Sequence, residues 1–208
     1  MNITRKTLLI LSVCVLAFIF LVREFLILHA SEFRLVGEMG VAFLETPSGA
    51  ILSFGEKDSS RGQAALRAIQ PYFAKQNVFA LDSQDVGSEF SGKDFTAQIF
   101  SSHIFRVVSE KKVFWFLGEV TEEEIENLKK QPISFESDFW VLLKSNGFVG
   151  TGLEIPPREG IAYLGERKPL KALTEFAKTQ ALPLISTKET EGFQLTWSGK
   201  TWKVLVRK

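Results

Sequence analysis

The sequence has few of the side chains that build metal sites and disulfides: one cysteine and two histidines among 208 residues. Cys14 alone can form neither an internal disulfide nor a zinc site built from cysteines. The histidines, His29 and His103, are too few for a site that needs several imidazole ligands. The composition therefore argues against a histidine-rich metal centre.

The net charge is also close to zero. The 25 Lys and Arg residues are balanced by 24 Asp and Glu residues, which gives +1 at pH 7. Residues 1–28 contain three of the basic residues and one of the acids, so the rest has 22 and 23, a net charge of −1. A domain this close to neutral lacks the field that attracts polyanions, which disfavours a general nucleic-acid binder. With 45% hydrophobic residues, the chain is expected to fold around a sizeable core.

The N-terminal part of the chain is strongly apolar. Thr7–Val22 carries no charge, and a second apolar stretch, Phe25–Leu28, follows two charged residues. Since about 20 helical residues span the hydrocarbon core of a bilayer, the sequence predicts one transmembrane helix over residues 7–28. Arg5 and Lys6 precede this run, so the positive-inside rule places the N-terminus in the cytoplasm. We therefore expect a single-pass membrane protein.

This interpretation divides the chain into an N-terminal membrane anchor, residues 1–30, and an extracytoplasmic domain, residues 31–208. A cleaved signal peptide is one alternative, but Leu28-His29-Ala30 offers only the last small residue of a small-x-small cleavage site. A lipoprotein modified at Cys14 is another alternative. Cys14 lies in the middle of the apolar run, which favours the uncleaved anchor.

Beyond the anchor, short apolar strands alternate with turns. Val41–Glu45 and Ile51–Phe54 flank Thr46-Pro47-Ser48-Gly49, a pattern typical of a β-hairpin. Thr121 and Glu124 form the capping-box signature that begins a helix. The further predicted elements are strands at 78–81, 95–100, 104–108, 113–117, 139–143, 161–164, 184–186, 193–197 and 202–206, and helices at 62–74, 121–130 and 170–179. This order predicts an α/β sandwich whose sheets carry helices on their outer faces.

The order of several motifs resembles a known family. The landmarks are Thr46-Pro47-Ser48-Gly49 with the strand after it, Val113–Glu119 with the helix after it, Phe139–Gly147 and Lys168-Pro169. They resemble metallo-β-lactamase-fold domains, most closely the C-terminal extracytoplasmic domain of ComEC-type DNA-uptake competence proteins, over residues 38–206. The resemblance implies an αββα sandwich, with two mixed sheets and outer helices.

The resemblance also implies a metal site that has lost its ligands. Members of that family hold zinc or another divalent metal with several histidines and aspartates, and the metal generates hydroxide near neutral pH. The corresponding positions in this chain are Phe54, Asp82, Asp85, Glu119, Ser145, Asn146 and Lys168. Glu119 alone keeps the ligand type of its position, and one carboxylate does not build such a site. We therefore expect no catalytic residue, no metal and no cofactor.

Two functional interpretations of small groups of residues stay open, a cation site and a catalytic triad. The acids among these positions could bind Ca²⁺ or Mg²⁺ through oxygen ligands, although no Asp-x-Asp-x-Asp-Gly spacing supports this. Ser101 or Ser102 with His103 could begin a Ser–His–Asp triad, although the nucleophile-elbow motif is absent from the sequence. Solvated surface residues are the favoured interpretation in both cases.

The C-terminal end combines charge with aromatic residues: Lys200, Lys203, Arg207 and Lys208 lie near Trp197 and Trp202. Such residues could hold a nucleic-acid strand by charge and stacking. The favoured interpretation is a solvated edge strand whose charges resist pairing with another strand.

Taken together, the sequence and the resemblance favour a membrane-anchored, non-catalytic binding or assembly module of a bacterial cell envelope, a pseudoenzyme with a protein partner. A role in DNA uptake, and with it contact with nucleic acid, is implied by the resemblance alone. The alternative is a metal-dependent hydrolase, a nuclease or phosphodiesterase with a rebuilt carboxylate site.

Overall fold

The computed structural model describes thirteen strands and two helices. The residues that it describes are 33–38, 40–55, 67, 78–80, 86–109, 112–143, 155–165, 169–187, 192–197 and 201–207. The strands are β1 (Phe33–Glu38), β2 (Val41–Glu45), β3 (Ile51–Gly55), β4 (Val78–Ala80), β5 (Glu89–Ser91), β6 (Phe95–Ser101), β7 (Ile104–Ser109), β8 (Lys112–Leu117), β9 (Phe139–Leu142), β10 (Gly160–Tyr163), β11 (Leu184–Ser186), β12 (Gly192–Trp197) and β13 (Trp202–Arg207). The helices are α1 (Glu122–Lys129) and α2 (Lys171–Thr179).

The strands form two sheets. The six-stranded sheet has the order β13-β12-β1-β2-β3-β4, and the seven-stranded sheet has the order β11-β10-β9-β8-β7-β6-β5. In the first sheet only β3 and β4 run parallel. In the second sheet β8 to β11 are parallel, and β5 to β8 are antiparallel. Both sheets are therefore mixed.

The two sheets enclose the main core. Leu52 and Phe54 of β3 belong to the same buried cluster as Phe114 and Phe116 of β8. Successive side chains of a strand point to opposite faces of its sheet, and Trp115 accordingly lies in a different buried cluster from its two neighbours. The central strands are therefore apolar on both faces, as the uninterrupted apolar run over 113–117 predicts.

Both described helices contribute to the cluster on the outer face of the seven-stranded sheet. Leu128 of α1 and Leu173 of α2 are buried in the same cluster as Trp115. The indole of Trp140, on β9, stacks against the ring of Phe176, on α2, with centroids 5.7 Å apart. This second core fixes the helices to the sheet.

The sequence prediction for the start of α1 is confirmed. The Thr121 hydroxyl accepts a hydrogen bond from the backbone N–H of Glu124 at 3.2 Å. The Glu124 carboxylate accepts one from the backbone N–H of Thr121 at 2.8 Å, which completes the capping box. These bonds satisfy two donors that the first turn of a helix otherwise leaves free.

The predicted αββα layering is wrong. Strands account for 49% of the structure and helices for 15%, and the two described helices pack on one sheet. The order of the predicted strands and helices, together with the resemblance, led to this prediction, whereas most of the buried apolar residues lie in strands. The helix predicted over 62–74 lies outside the described residues except for Arg67, which is helical.

The prediction of a single-pass membrane protein is also corrected. Within the described ranges, no helix is both long and apolar enough to cross a membrane. The transmembrane helix predicted over residues 7–28 lies outside those ranges. The boundary between residues 1–30 and 31–208 falls there too and stays a prediction.

Candidate functional site at the carboxyl edge of the sheets

The carboxyl ends of several strands meet at one edge of the sandwich. In the seven-stranded sheet, the parallel strands β8 to β11 all end there. In the other sheet, β3 and its parallel neighbour β4 end beside the turn between β1 and β2. The N–H of Gly40, in that turn, donates to the carbonyl oxygen of Leu164, just after β10, at 2.8 Å. We call this region the carboxyl edge; the loops after these strands begin at it.

Two of the seven sequence-predicted site residues are described. Phe54 lies near the end of β3, and Glu119 is exposed two residues after β8. The other five lie outside the described residues: Asp82, Asp85, Ser145, Asn146 and Lys168. The strands that precede them along the chain, β4, β9 and β10, all end at the carboxyl edge. The structure therefore brings the strand ends together. That the five side chains also converge there stays a prediction.

The side chain of Phe54 is fully buried in the main core, with 0% exposure. Its ring stacks on that of Phe116, on β8 of the opposite sheet, with centroids 3.6 Å apart and planes 12° apart. The ring of Phe105, on β7, meets it edge-on at 5.8 Å. The position that the resemblance assigns to a metal-binding aspartate is thus an aromatic contact between the two sheets.

The backbone after Phe54 is fixed by a close approach of two glycines. Gly55 has a φ of +114°, and a Cβ there would lie 2.1 Å from the carbonyl oxygen of Gly40. Only glycine fits this conformation and this distance without strain. The end of β3 is therefore held against the turn between β1 and β2.

On the seven-stranded sheet, the tip of the β6–β7 hairpin lies against the residues that follow β8. The N–H of Gly118 donates to the carbonyl oxygen of His103 at 2.7 Å. A Cβ on Gly118 would lie 3.2 Å from the Cβ of His103, so a larger residue would press on the histidine. The backbone N–H of His103 donates to the hydroxyl oxygen of Ser101 at 3.1 Å.

Several neighbouring groups shift the pKa of Glu124, which lies in the first turn of α1. Burial acts to raise the pKa of Glu124, but hydrogen bonds from the Thr121 backbone, from Ser101 and from the Thr121 hydroxyl lower it, with the charge of His103 adding to them. The net result is a pKa below the ordinary value. The carboxylate therefore favours its ionised form and serves as a hydrogen-bond acceptor.

Ser101 is half-buried, and Ser102 and His103 are exposed, in agreement with the favoured interpretation of these residues as surface residues. A serine nucleophile needs its hydroxyl proton to be accepted by an imidazole nitrogen. Here the Ser101 hydroxyl accepts a hydrogen bond from the backbone N–H of His103, and Ser101 contributes to the lowered pKa of Glu124. In the part of the chain that the structure describes, no three His, Cys, Asp or Glu side chains come together as a metal site.

Two polar networks that the sequence does not reveal lie at the opposite edge, where these strands begin. In the first, the Asp94 carboxylate, just before β6, accepts hydrogen bonds from the hydroxyl of Thr46 at 3.0 Å and from the backbone N–H of Ser48 at 2.7 Å. The Ser109 hydroxyl donates to the Asp94 carbonyl oxygen at 2.6 Å. The Thr-Pro-Ser-Gly turn is therefore fastened to the other sheet. The turn motif was visible in the sequence, but nothing there identified its acceptor.

The second network surrounds Lys112, the first residue of β8, which is only 8% exposed. Its ammonium group pairs with the Glu159 carboxylate and lies 4.0 Å from that of Asp138. It also sits 3.9 Å from the ring centroid of Trp197. The indole N–H of Trp202 donates to the second oxygen of Glu159 at 2.6 Å. The β12–β13 hairpin is thus bound to the seven-stranded sheet by a buried charge cluster.

No family model matches this chain, and no curated protein matches it significantly.

Proposed function

We propose that this chain is a non-catalytic binding or assembly module. The observation that carries the proposal is the packing of Phe54, whose ring lies at the strand end where the resemblance calls for a metal-binding aspartate. Stacked on Phe116 at 3.6 Å and completely buried, this side chain closes the core at the carboxyl edge. An apolar ring that joins two sheets contributes to stability, and it offers no ligand atom to a metal.

The carboxylate of Glu124 supports the same proposal. It accepts hydrogen bonds from the backbone N–H and the hydroxyl of Thr121, and these bonds begin α1. A general base must instead have its carboxylate within reach of a substrate proton. The Glu124 carboxylate therefore serves the architecture.

A link to DNA uptake rests on the resemblance alone and stays a prediction. The near-neutral charge of residues 29–208 gives it no support, because nucleic-acid binding depends on clustered positive charge. A gel-shift assay of the full chain with single- and double-stranded DNA at two salt concentrations tests this point separately.

The proposal is tested by metal analysis and a hydrolysis assay on the full chain. After dialysis we expect much less than one equivalent of zinc, manganese or magnesium. We also expect that a phosphodiester substrate and DNA are hydrolysed no faster with the protein than in buffer that contains the same metal alone. Glu119→Ala should behave like Glu136→Ala, a matched change of an exposed acid elsewhere in the chain.

The contrary result is equally clear. Tightly bound metal together with hydrolysis that is lost in Glu119→Ala and kept in Glu136→Ala would overturn the proposal. It would establish the hydrolase alternative.

A further inference from the structure

A row of side chains crosses the outer face of the antiparallel half of the seven-stranded sheet. Its members lie directly opposite one another on β5, β6, β7 and β8, in the order Glu89, Gln98, Arg106 and Trp115. The Gln98 amide donates to the Glu89 carboxylate at 2.8 Å, and its carbonyl oxygen accepts from Nη1 of Arg106 at 3.0 Å. Cross-strand neighbours share one face of a sheet, and these bonds hold the Gln98 oxygen toward the guanidinium group.

The positive charge of Arg106 has no counter-charge beside it. The side chain is half-buried, and among the described residues its hydrogen-bond partner is the neutral Gln98. Its Nε–H is shielded from water and has no partner there. Burial lowers the pKa of Arg106, although an arginine stays charged in a protein. The other buried or half-buried cations of the described ranges each pair with a carboxylate; they are Arg34, Lys112 and Lys129.

Aromatic rings border this guanidinium group. It lies over the ring of Trp115, 6.0 Å from the centroid. The rings of Phe100 and Phe135 stack on the same tryptophan, with centroid distances of 5.5 Å and 5.9 Å. Both phenylalanines are half-buried, so each keeps part of its surface open. A group bound at Arg106 therefore has apolar ring surface close to it.

We infer that Arg106 anchors a binding site for an organic carboxylate, a single carboxylate group carried by an apolar body. The planar fork of a guanidinium group matches the two oxygens of a carboxylate, which supplies the missing counter-charge. The apolar body of the ligand covers Phe100 and Phe135. A phosphate fits less well, because its second negative charge would meet Glu89 in the same row.

This site is separate from the carboxyl edge. Arg106 lies on the outer face of its sheet, whereas Phe54 lies in the core between the two sheets. The inference gives the proposed binding module a class of ligand. Its failure would leave the metal and hydrolysis results unaffected.

Binding is tested by thermal denaturation of the full chain with phenylacetate, which joins one carboxylate to one aromatic ring. A ligand that binds the folded state stabilises it by mass action, so we expect the melting temperature to rise with the phenylacetate concentration. Benzyl alcohol keeps the ring and lacks the charge, and inorganic phosphate has the charge and lacks the ring. At equal ionic strength, neither should raise the melting temperature as much.

The part played by Arg106 is tested with variants. Arg106→Met should abolish the phenylacetate shift, and Arg106→Lys, which keeps the charge and loses the planar fork, should weaken binding by about tenfold or more. Arg158→Gln, at an exposed arginine, is the matched control and should bind as wild type does. The melting temperature without ligand shows whether each variant is folded.

A proton–nitrogen correlation spectrum of wild type gives a second readout that does not depend on a folded variant of the site. The Nε–H cross-peak of Arg106, assigned by its absence from Arg106→Lys, should shift saturably with phenylacetate. Three results would overturn the inference. They are a cross-peak that phenylacetate leaves in place, an unchanged affinity in a folded Arg106→Met, and binding of benzyl alcohol or phosphate as tight as that of phenylacetate.

Discussion

The carboxylate of Asp94 holds the turn at Ser48 from the opposite sheet, with one oxygen 2.7 Å from the Ser48 backbone nitrogen and the other 2.5 Å from its hydroxyl. The residues are 46 positions apart, and Ser48 lies in the turn between β2 and β3. One side chain thus accepts several hydrogen bonds that tie the two sheets together.

We expect Asp94→Ala to lower the free energy of unfolding by about 2–3 kcal/mol, because the donors of Thr46 and Ser48 lose a charged acceptor. Asp94→Asn keeps one acceptor oxygen and should cost less. Urea denaturation of the variants measures both effects, and Glu136→Ala at an exposed ion pair is the control. A loss below about 0.5 kcal/mol for Asp94→Ala would show that the turn does not depend on this acceptor.

The buried ammonium group of Lys112 should be more important for stability than any surface lysine. Lys112→Met leaves the carboxylates of Glu159 and Asp138 without their counter-charge, so we expect a loss of about 3–5 kcal/mol. Lys129→Met, at an exposed helical ion pair, should cost less than about 1 kcal/mol. Because Lys112 lies over Trp197, the tryptophan emission of the folded state should change only in Lys112→Met. Equal losses in the two variants would contradict this prediction.

Tyr163 and Ser109 give a matched pair of buried hydroxyls. The Tyr163 hydroxyl has no hydrogen-bond partner among the described residues, whereas that of Ser109 donates to Asp94. Since an unsatisfied buried hydroxyl opposes folding, Tyr163→Phe should leave the free energy of unfolding unchanged or raise it by about 1 kcal/mol. Ser109→Ala should lower it by about 1 kcal/mol. Thermal or urea denaturation measures the free energy of unfolding of both variants. A clearly lower value for Tyr163→Phe than for wild type would reveal a partner for the Tyr163 hydroxyl.

The lowered pKa of Glu124 predicts a pH-dependent contribution to stability. The carboxyl group binds protons less readily in the folded chain than in the unfolded chain, so ionisation favours folding. The contribution is complete above the unfolded pKa of about 4.3 and is lost as pH falls through the lower folded value. Wild type should therefore exceed Glu124→Gln in stability at pH 7 and approach it at pH 3. A difference that is independent of pH would contradict this.

The sequence was most informative where a local pattern decides the structure. Apolar runs predicted the central strands, the Thr-Pro-Ser-Gly turn predicted the β2–β3 hairpin, and Thr121 with Glu124 predicted the start of α1. Strand β5 was missed because all its residues are exposed and it shows no alternation. It exists because it pairs with β6, where the Gln98 amide donates to Glu89 at 2.8 Å.

Contacts between distant segments were beyond sequence reasoning. Lys112 and Glu159 are 47 residues apart, and no local pattern marks them as partners. Strand β1 was also missed; it pairs with β2, which follows it directly, and with the distant β12. The candidate site was predictable only as a set of strand ends; the roles of Ser101 and Glu124 depend on how a hairpin tip meets a helix.

The pairing of β1 with β12 sets an order of events during synthesis. Phe33 lies opposite Trp197, so the six-stranded sheet cannot close until residue 197 has left the ribosome. Pairing between such distant segments is slow to form. Until then one edge of β1 stays open, and an open edge invites association with other chains. Loss of β12 by an early stop would therefore leave the nascent domain in this vulnerable state permanently.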